Sequence, residues 1–160
     1  MYKKDIVSPN NRKNIILYNP AKGLELLASY IASHTNYEWK PLYGFSEEEM
    51  VNEMQHAKLY IDFGSHPGKD RIPREAASCG CVIITNRKGS AAYFEDVPIQ
   101  DKYKFESPEK SYEELTTLID DVFVNFSEHF SIFSKYREII RKDEETFNTE
   151  VLDFVTAMEI

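Results

Sequence analysis

The chain has 160 residues and a mass of 18.6 kDa, a length that suits one domain and is short for two. With 42% hydrophobic and 13% aromatic residues, six Gly and seven Pro, the composition is that of a globular domain, neither disordered nor fibrous. A net charge of −8 argues against nonspecific nucleic-acid binding, and no apolar run approaches the ~20 residues of a membrane helix. The first residues, MYKKDIVSPNNRKN, hold no apolar stretch of the ~7–15 residues a secretory signal requires. A soluble cytoplasmic domain is expected.

A polar leader occupies residues 1–13. NIILYNP, from Asn14 to Pro20, is a short apolar run ended by a breaker and predicts a buried strand. Pro20 and Gly23 make a turn, after which Leu24, Leu27, Ala28 and Ile31 recur at helical spacing. YEWKPLYG, ending at Gly44, predicts a strand weakened by Pro41. Ser46 followed by Glu49 is a capping box, and carboxylates at Glu47, Glu48 and Glu49 suit the positive end of a helix running to about Ala57. KLYIDFG predicts the next strand. The loop SHPGKDRIP then leads into a helix carrying Arg74, Glu75, Ala76 and Ala77 that stops at Gly80.

CVIIT, from Cys81 to Thr85, is a continuous β-branched run of the kind buried on both faces of a parallel sheet. A short strand near Tyr103 to Phe105 follows an irregular stretch. Beyond Pro108 the pattern predicts one helix around Tyr112 to Phe126, another around Glu128 to Asn148, and a short tail from Glu150. Strands alternating with helices imply an α/β class: a Rossmann-like parallel sheet flanked by helices, with a core at 14–105 and a helical tail at 106–160. In such sheets ligands bind at the carboxyl ends of the strands, where the loops at 19–23, 44–46, 64–72 and 86–90 fall.

Charge is unevenly distributed along the chain. Residues 106–160 carry five basic and fourteen acidic side chains, whereas residues 66–90 carry five basic (Lys69, Arg71, Arg74, Arg87, Lys88) and two acidic (Asp70, Glu75). A positive island in an acidic protein suits a small anion better than a polyanion. The Gly64–Arg71 loop precedes a helix, so its N–H groups and the helix dipole form a candidate phosphate cradle, with Gly68 allowing close approach and Lys69 and Arg71 supplying charge. Lys22 points from the same edge. Glu75, early in its helix, has two readings: acceptor for a ribose diol, or partner of the helix dipole, Arg71 or Arg74.

Other candidates are weak. His66 and Asp70 lie across a Pro-Gly turn without a third ligand, so no metal site is expected. His34 reads as a helix C-terminal residue, and His56 and His129 as helix-surface residues. Cys79 and Cys81 read as small buried hydrophobes in a reducing compartment.

The stretch from Asn14 to Phe105 resembles the C-terminal, donor-binding half of GT-B-fold glycosyltransferases of the retaining, glycogen-synthase-like type. The resemblance is carried by NPAKG, LYGFSEEEM, HAKLYIDFGSHPG, REAASCGCVIIT and KGS. It implies binding of a nucleotide diphosphate sugar as substrate, with no cofactor and no metal. Lys22 then matches the lysine that neutralises the donor diphosphate, assisted by Arg71. Glu75 matches the second glutamate of the paired-glutamate motif, on the ribose. Gly44, Gly68, Lys69, Asp70, Gly89 and Ser90 fall in the donor-facing loops. Departures accompany the match. Pro67 replaces the first glutamate, the arginine that often accompanies the lysine is missing from NPAKG, one strand–helix unit is absent, and so is the acceptor domain. The resemblance implies a donor module working with a separate or missing acceptor domain; the alternative is a nucleotide-sugar-binding module without turnover. A missing domain should leave an uncovered apolar patch, on the carboxyl edge or on Val151, Leu152, Phe154 and Val155 of the tail.

Overall fold

The structure, a computed structural model, describes residues 6–65 and 71–158. Five parallel strands form one sheet in the order β2-β1-β3-β4-β5: β1 (Lys13–Tyr18), β2 (Glu38–Pro41), β3 (Ala57–Asp62), β4 (Val82–Asn86) and β5 (Lys104–Phe105). Burial follows the residue types. Every residue of β4 is buried and all of β3 except Lys58, whereas β2, holding Pro41 where a central ladder would need an N–H, is half-exposed at the edge.

Between these strands run α1 (Leu24–Ser33), α2 (Glu47–His56) and α3 (Arg71–Ser78). Right-handed crossovers put α1 on one face of the sheet and α2 and α3 on the other. The α1 face is completed by α4 (Tyr112–Val124), tied to it by a 2.6 Å bond between the Tyr30 and Thr116 hydroxyls. Tyr30, Trp39, Tyr37 and Phe123 pack there edge to face, and Ser33, His34 and Tyr30 close the end of α1. α5 (Phe126–Ile132) follows, then α6 (Ser134–Met158), which contacts α3 on the opposite face.

Three expectations for the C-terminal region change. The helix expected around Glu128 to Asn148 divides at Phe133, and the expected tail after Glu150 is helix to Met158. Its pattern has no proline or glycine to stop it, so α6 runs on for 25 residues, about 37 Å at 1.5 Å per residue. His129, expected on a helix surface, is buried: Nδ1 meets the Tyr103 hydroxyl at 2.6 Å and Nε2 meets Asp121 Oδ2 at 2.7 Å. Polar partners on both sides make its burial affordable.

The polar leader also contributes to the core. Arg12 is buried, and its guanidinium donates to the carbonyls of Val7, Met54, Ala57 and Cys79 at the amino end of the sheet. The last three lie at the C-termini of α2 and α3, where carbonyls lack helical partners, so one cation caps two helices. Gly80 (φ +102°) leaves room for it, since a Cβ there would stand 2.2 Å from an Arg12 nitrogen. Cys79 and Cys81 are free and buried as expected, and burial pushes their thiols up to about 11 and about 12.

Candidate functional site at the carboxyl edge

The strand order creates a switch point between β1 and β3. From β1 the chain turns to one side to form β2, and β3 lies on β1's other side, so the connections after β1 and β3 diverge and leave a crevice between them. The loop after β1 is set by Asn19, whose Oδ1 accepts the Ala21 N–H at 2.9 Å. It ends at Gly23, left-handed at φ +69° and the N-cap of α1, with no side chain to cap that helix. A Cβ on Gly23 would lie 2.4 Å from the Gly64 nitrogen and the Phe63 carbonyl carbon; one on Gly64 would lie 2.7 Å from Lys22 Cβ. The two loops thus meet backbone to backbone, and Lys22 sits against Gly64 at the crevice.

Buried polar side chains hold the Gly64 turn. Asp62 Oδ1 accepts the Gly64 N–H at 2.9 Å, while its Oδ2 accepts the Tyr60 hydroxyl at 2.7 Å. Asn86 Nδ2 donates to the carbonyls of Phe63 (2.7 Å) and Gly64 (2.9 Å), and its Oδ1 accepts the Lys88 N–H. Neither residue stands out in the sequence reading. The available signal was a polar residue closing an otherwise apolar buried strand: Asp62 after KLYI and Asn86 after CVIIT.

Three helix N-termini face this edge, and their dipoles favour an anion. That of α2 is already closed by the expected capping box: Ser46 Oγ accepts the Glu49 N–H at 3.2 Å, and Glu49 Oε2 accepts the Ser46 N–H at 2.7 Å. The one at Gly23 is not. Gly44, at φ +78°, has open space where a Cβ would be, beside Tyr43, which is 82% exposed.

Glu75 is buried on α3, and Arg71 Nε donates to its Oε1 at 2.5 Å. The same guanidinium reaches Glu47 at 2.7 Å, and these carboxylates, Glu75 first, hold Arg71 above its ordinary range. Glu75 and Arg71 are therefore brought together, beside Glu47 of α2. Gly89 (φ +59°) turns the chain after β4 and Ser90 opens the 3-10 turn that follows. Gly68, Lys69 and Asp70 lie outside the described residues, as do His66 and Pro67.

The positive island is largely dispersed by folding. Arg71 meets Glu75 and Glu47, Arg74 meets Asp143 of α6 at 3.3 Å, and Arg87 meets Asp101 at 3.3 Å. Acidic residues distant in sequence neutralise three of its five cations, so a local charge count overstates the field at the edge. Among the described residues no group of three or more His, Cys, Asp or Glu could hold a metal ion, and no helix is long and apolar enough to cross a membrane.

No family model matches the chain, and no curated protein does. Among solved structures it is similar to AviGT4, a glycosyltransferase involved in avilamycin A biosynthesis, with 12% identity and a TM-score of 0.41. The likeness covers 86% of this chain, which spans 55% of that one. The Rossmann-like assignment rests on the parallel sheet and its strand order.

Proposed function

We propose that the chain is the donor-binding module of a glycosyltransferase, taking a nucleotide diphosphate sugar in the crevice between the loops after β1 and β3. One observation carries the reading: Gly23 and Gly64 bring these loops into backbone contact at the switch point, with Lys22 and an uncapped helix N-terminus at the opening. Transfer of a sugar breaks its bond to the diphosphate, which gains negative charge as it leaves. Lys22 and the α1 dipole are preorganised to stabilise that charge.

Arg71 joins them by exchange. Its pair with Glu47 is exposed on both sides, and such pairs contribute about 0–1 kcal/mol, so a diphosphate can replace Glu47 at small cost. Glu75, released in part from Arg71, takes the ribose hydroxyls. Gly44, Gly68, Lys69, Asp70, Gly89 and Ser90 complete the donor loops, and an acceptor domain, on another chain or beyond this one, supplies the second substrate. The cytoplasm, where nucleotide sugars are abundant, suits the module. Pro67, standing where the family's first glutamate would orient the sugar, favours a second reading in which the chain binds the donor without turning it over.

Thermal unfolding against UDP, GDP, ADP, TDP and CMP, with nucleotide sugars alongside, tests both readings. A ligand at a hundred times its dissociation constant adds about 2.7 kcal/mol, roughly 5–10 °C for a domain of this size. The expected result is a shift for one nucleotide that is lost in Lys22→Ala and Glu75→Ala. No shift with any of them contradicts donor binding.

A further inference from the structure

The second half of α6 leaves the body of the protein. Tyr136 and Ile140 are buried, but every described residue from Glu145 onward is exposed. Among them Phe147, Leu152, Phe154 and Met158 are 64–72% exposed, and Val151 and Val155 nearly half. Phe147, Val151, Phe154 and Met158 follow one another at steps of four, three and four, the seam spacing of paired helices. The stripe continues the line of Ile140, two turns nearer the core. A projecting segment as short as residues 145–158 is marginal as a helix in water unless its apolar face is covered, and six large apolar side chains on it mark an interaction surface.

Charge along α6 indicates what covers it. Residues 134–142 carry four basic side chains and one acidic, whereas residues 143–158 carry five acidic and none basic. Along the middle of α6 runs a groove of about 1110 Å³, lined from the basic half by Arg137, Ile140 and Arg141 and from the acidic half by Asp143, Glu144 and Phe147. Three arginines and four acidic residues line it, so the charge contrast lies between the two halves of α6 themselves, and the projecting half is both apolar and acidic. The groove's acidic residues, Glu138, Asp143, Glu144 and Glu145, are partly engaged already: Asp143 with Arg74, Glu145 with Arg141, Glu138 with Lys142.

We infer that the occupant is a second copy of this chain, and that α6 pairs antiparallel with its counterpart about a two-fold axis. Antiparallel pairing sets the acidic half of each helix beside the basic half of the other, twice over, as a self-complementary interface requires. Parallel pairing would set like beside like. This dimer is independent of the nucleotide reading, because the α6 surface does not include the carboxyl-edge residues.

Sedimentation of the full chain tests it, together with two exposed charge reversals, Glu150→Lys/Asp153→Lys and Arg141→Glu/Lys142→Glu. The wild type is expected at twice 18.6 kDa across the micromolar range, each variant alone at 18.6 kDa, and an equimolar mixture of the two again at the dimer mass. A monomeric wild type overturns the inference and leaves the face to an acceptor domain or another protein. A dimer indifferent to both reversals overturns it too, as does a mixture that stays monomeric. Nucleotide-induced thermal shifts measured on the same samples report on the donor site separately.

Discussion

The two ends of this parallel sheet use cationic side chains in opposite ways. At the amino end Arg12 is buried and its donors are taken by the carbonyls of Val7, Met54, Ala57 and Cys79, so the charge serves to close two helix C-termini. At the carboxyl end Lys22 is exposed and Arg71 exposed on its outer side, beside helix N-termini whose dipoles favour an anion. Helix direction decides which end can hold a ligand. Where the helices that connect the strands return antiparallel to them, one edge collects carbonyls and uses a cation internally, while the other collects N–H groups and accepts an anion from outside.

Glycines sharpen the contrast, and the largest effect is expected there. Gly23→Ala forces a left-handed backbone on alanine and drives its Cβ into the Phe63–Gly64 peptide, so a loss of roughly 3–5 kcal/mol is expected in denaturant unfolding. Gly44→Ala has the same backbone strain but open space, and should lose only about 1 kcal/mol. Equal losses at the two positions would contradict the backbone contact between the loops.

At the amino end Arg12→Met takes the guanidinium from four carbonyls, leaving Met54 and Ala57 only the weak Cys81 thiol, and should cost about 3 kcal/mol, without altering nucleotide affinity in the folded fraction. A change in affinity would break the division between the edges. The buried thiols make stability depend on pH. Their folded pKa values are raised, so an unfolded thiol ionises first; stability is full below the usual thiol range and falls as pH rises toward 11 and above. Alkylation at pH 8 should accordingly label Cys79 and Cys81 only on unfolding, and rapid labelling of the native chain would contradict their burial. Smallest is Ser46→Ala, which opens the α2 capping box: about 1 kcal/mol in thermal unfolding.

Much of the sheet was legible because each strand is a short apolar run bounded by breakers, and the Ser46–Glu49 box was legible because it is local. What the sequence hid was long-range pairing. Arg12 sits in a stretch that reads as polar leader, and three of its four partners lie 42 to 67 positions away. His129 looks like a surface histidine until Tyr103 and Asp121 close on it. The island at 66–90 loses three of its cations to Glu47, Asp143 and Asp101, and Glu75 takes part in the same way. In the candidate site, Lys22 and Gly23 could be placed from the turn after the first strand. Asp62 and Asn86 could not, since their function in holding Gly64 exists only once β3 and β4 pair. The uncovered apolar patch expected on the tail is there, on a helix longer than its sequence pattern suggested.

The most direct test of donor binding at the carboxyl edge is a titration of the ¹⁵N-labelled chain with the nucleotide that shifts its melting temperature, followed amide by amide. The account predicts saturable changes at Lys22, Gly23, Leu24, Gly64 and Ser65, with Arg12, Gly80 and Cys81 at the opposite end unmoved. Changes clustered at Arg12 and Gly80, or along α6, with the Gly23 and Gly64 amides silent, would contradict it.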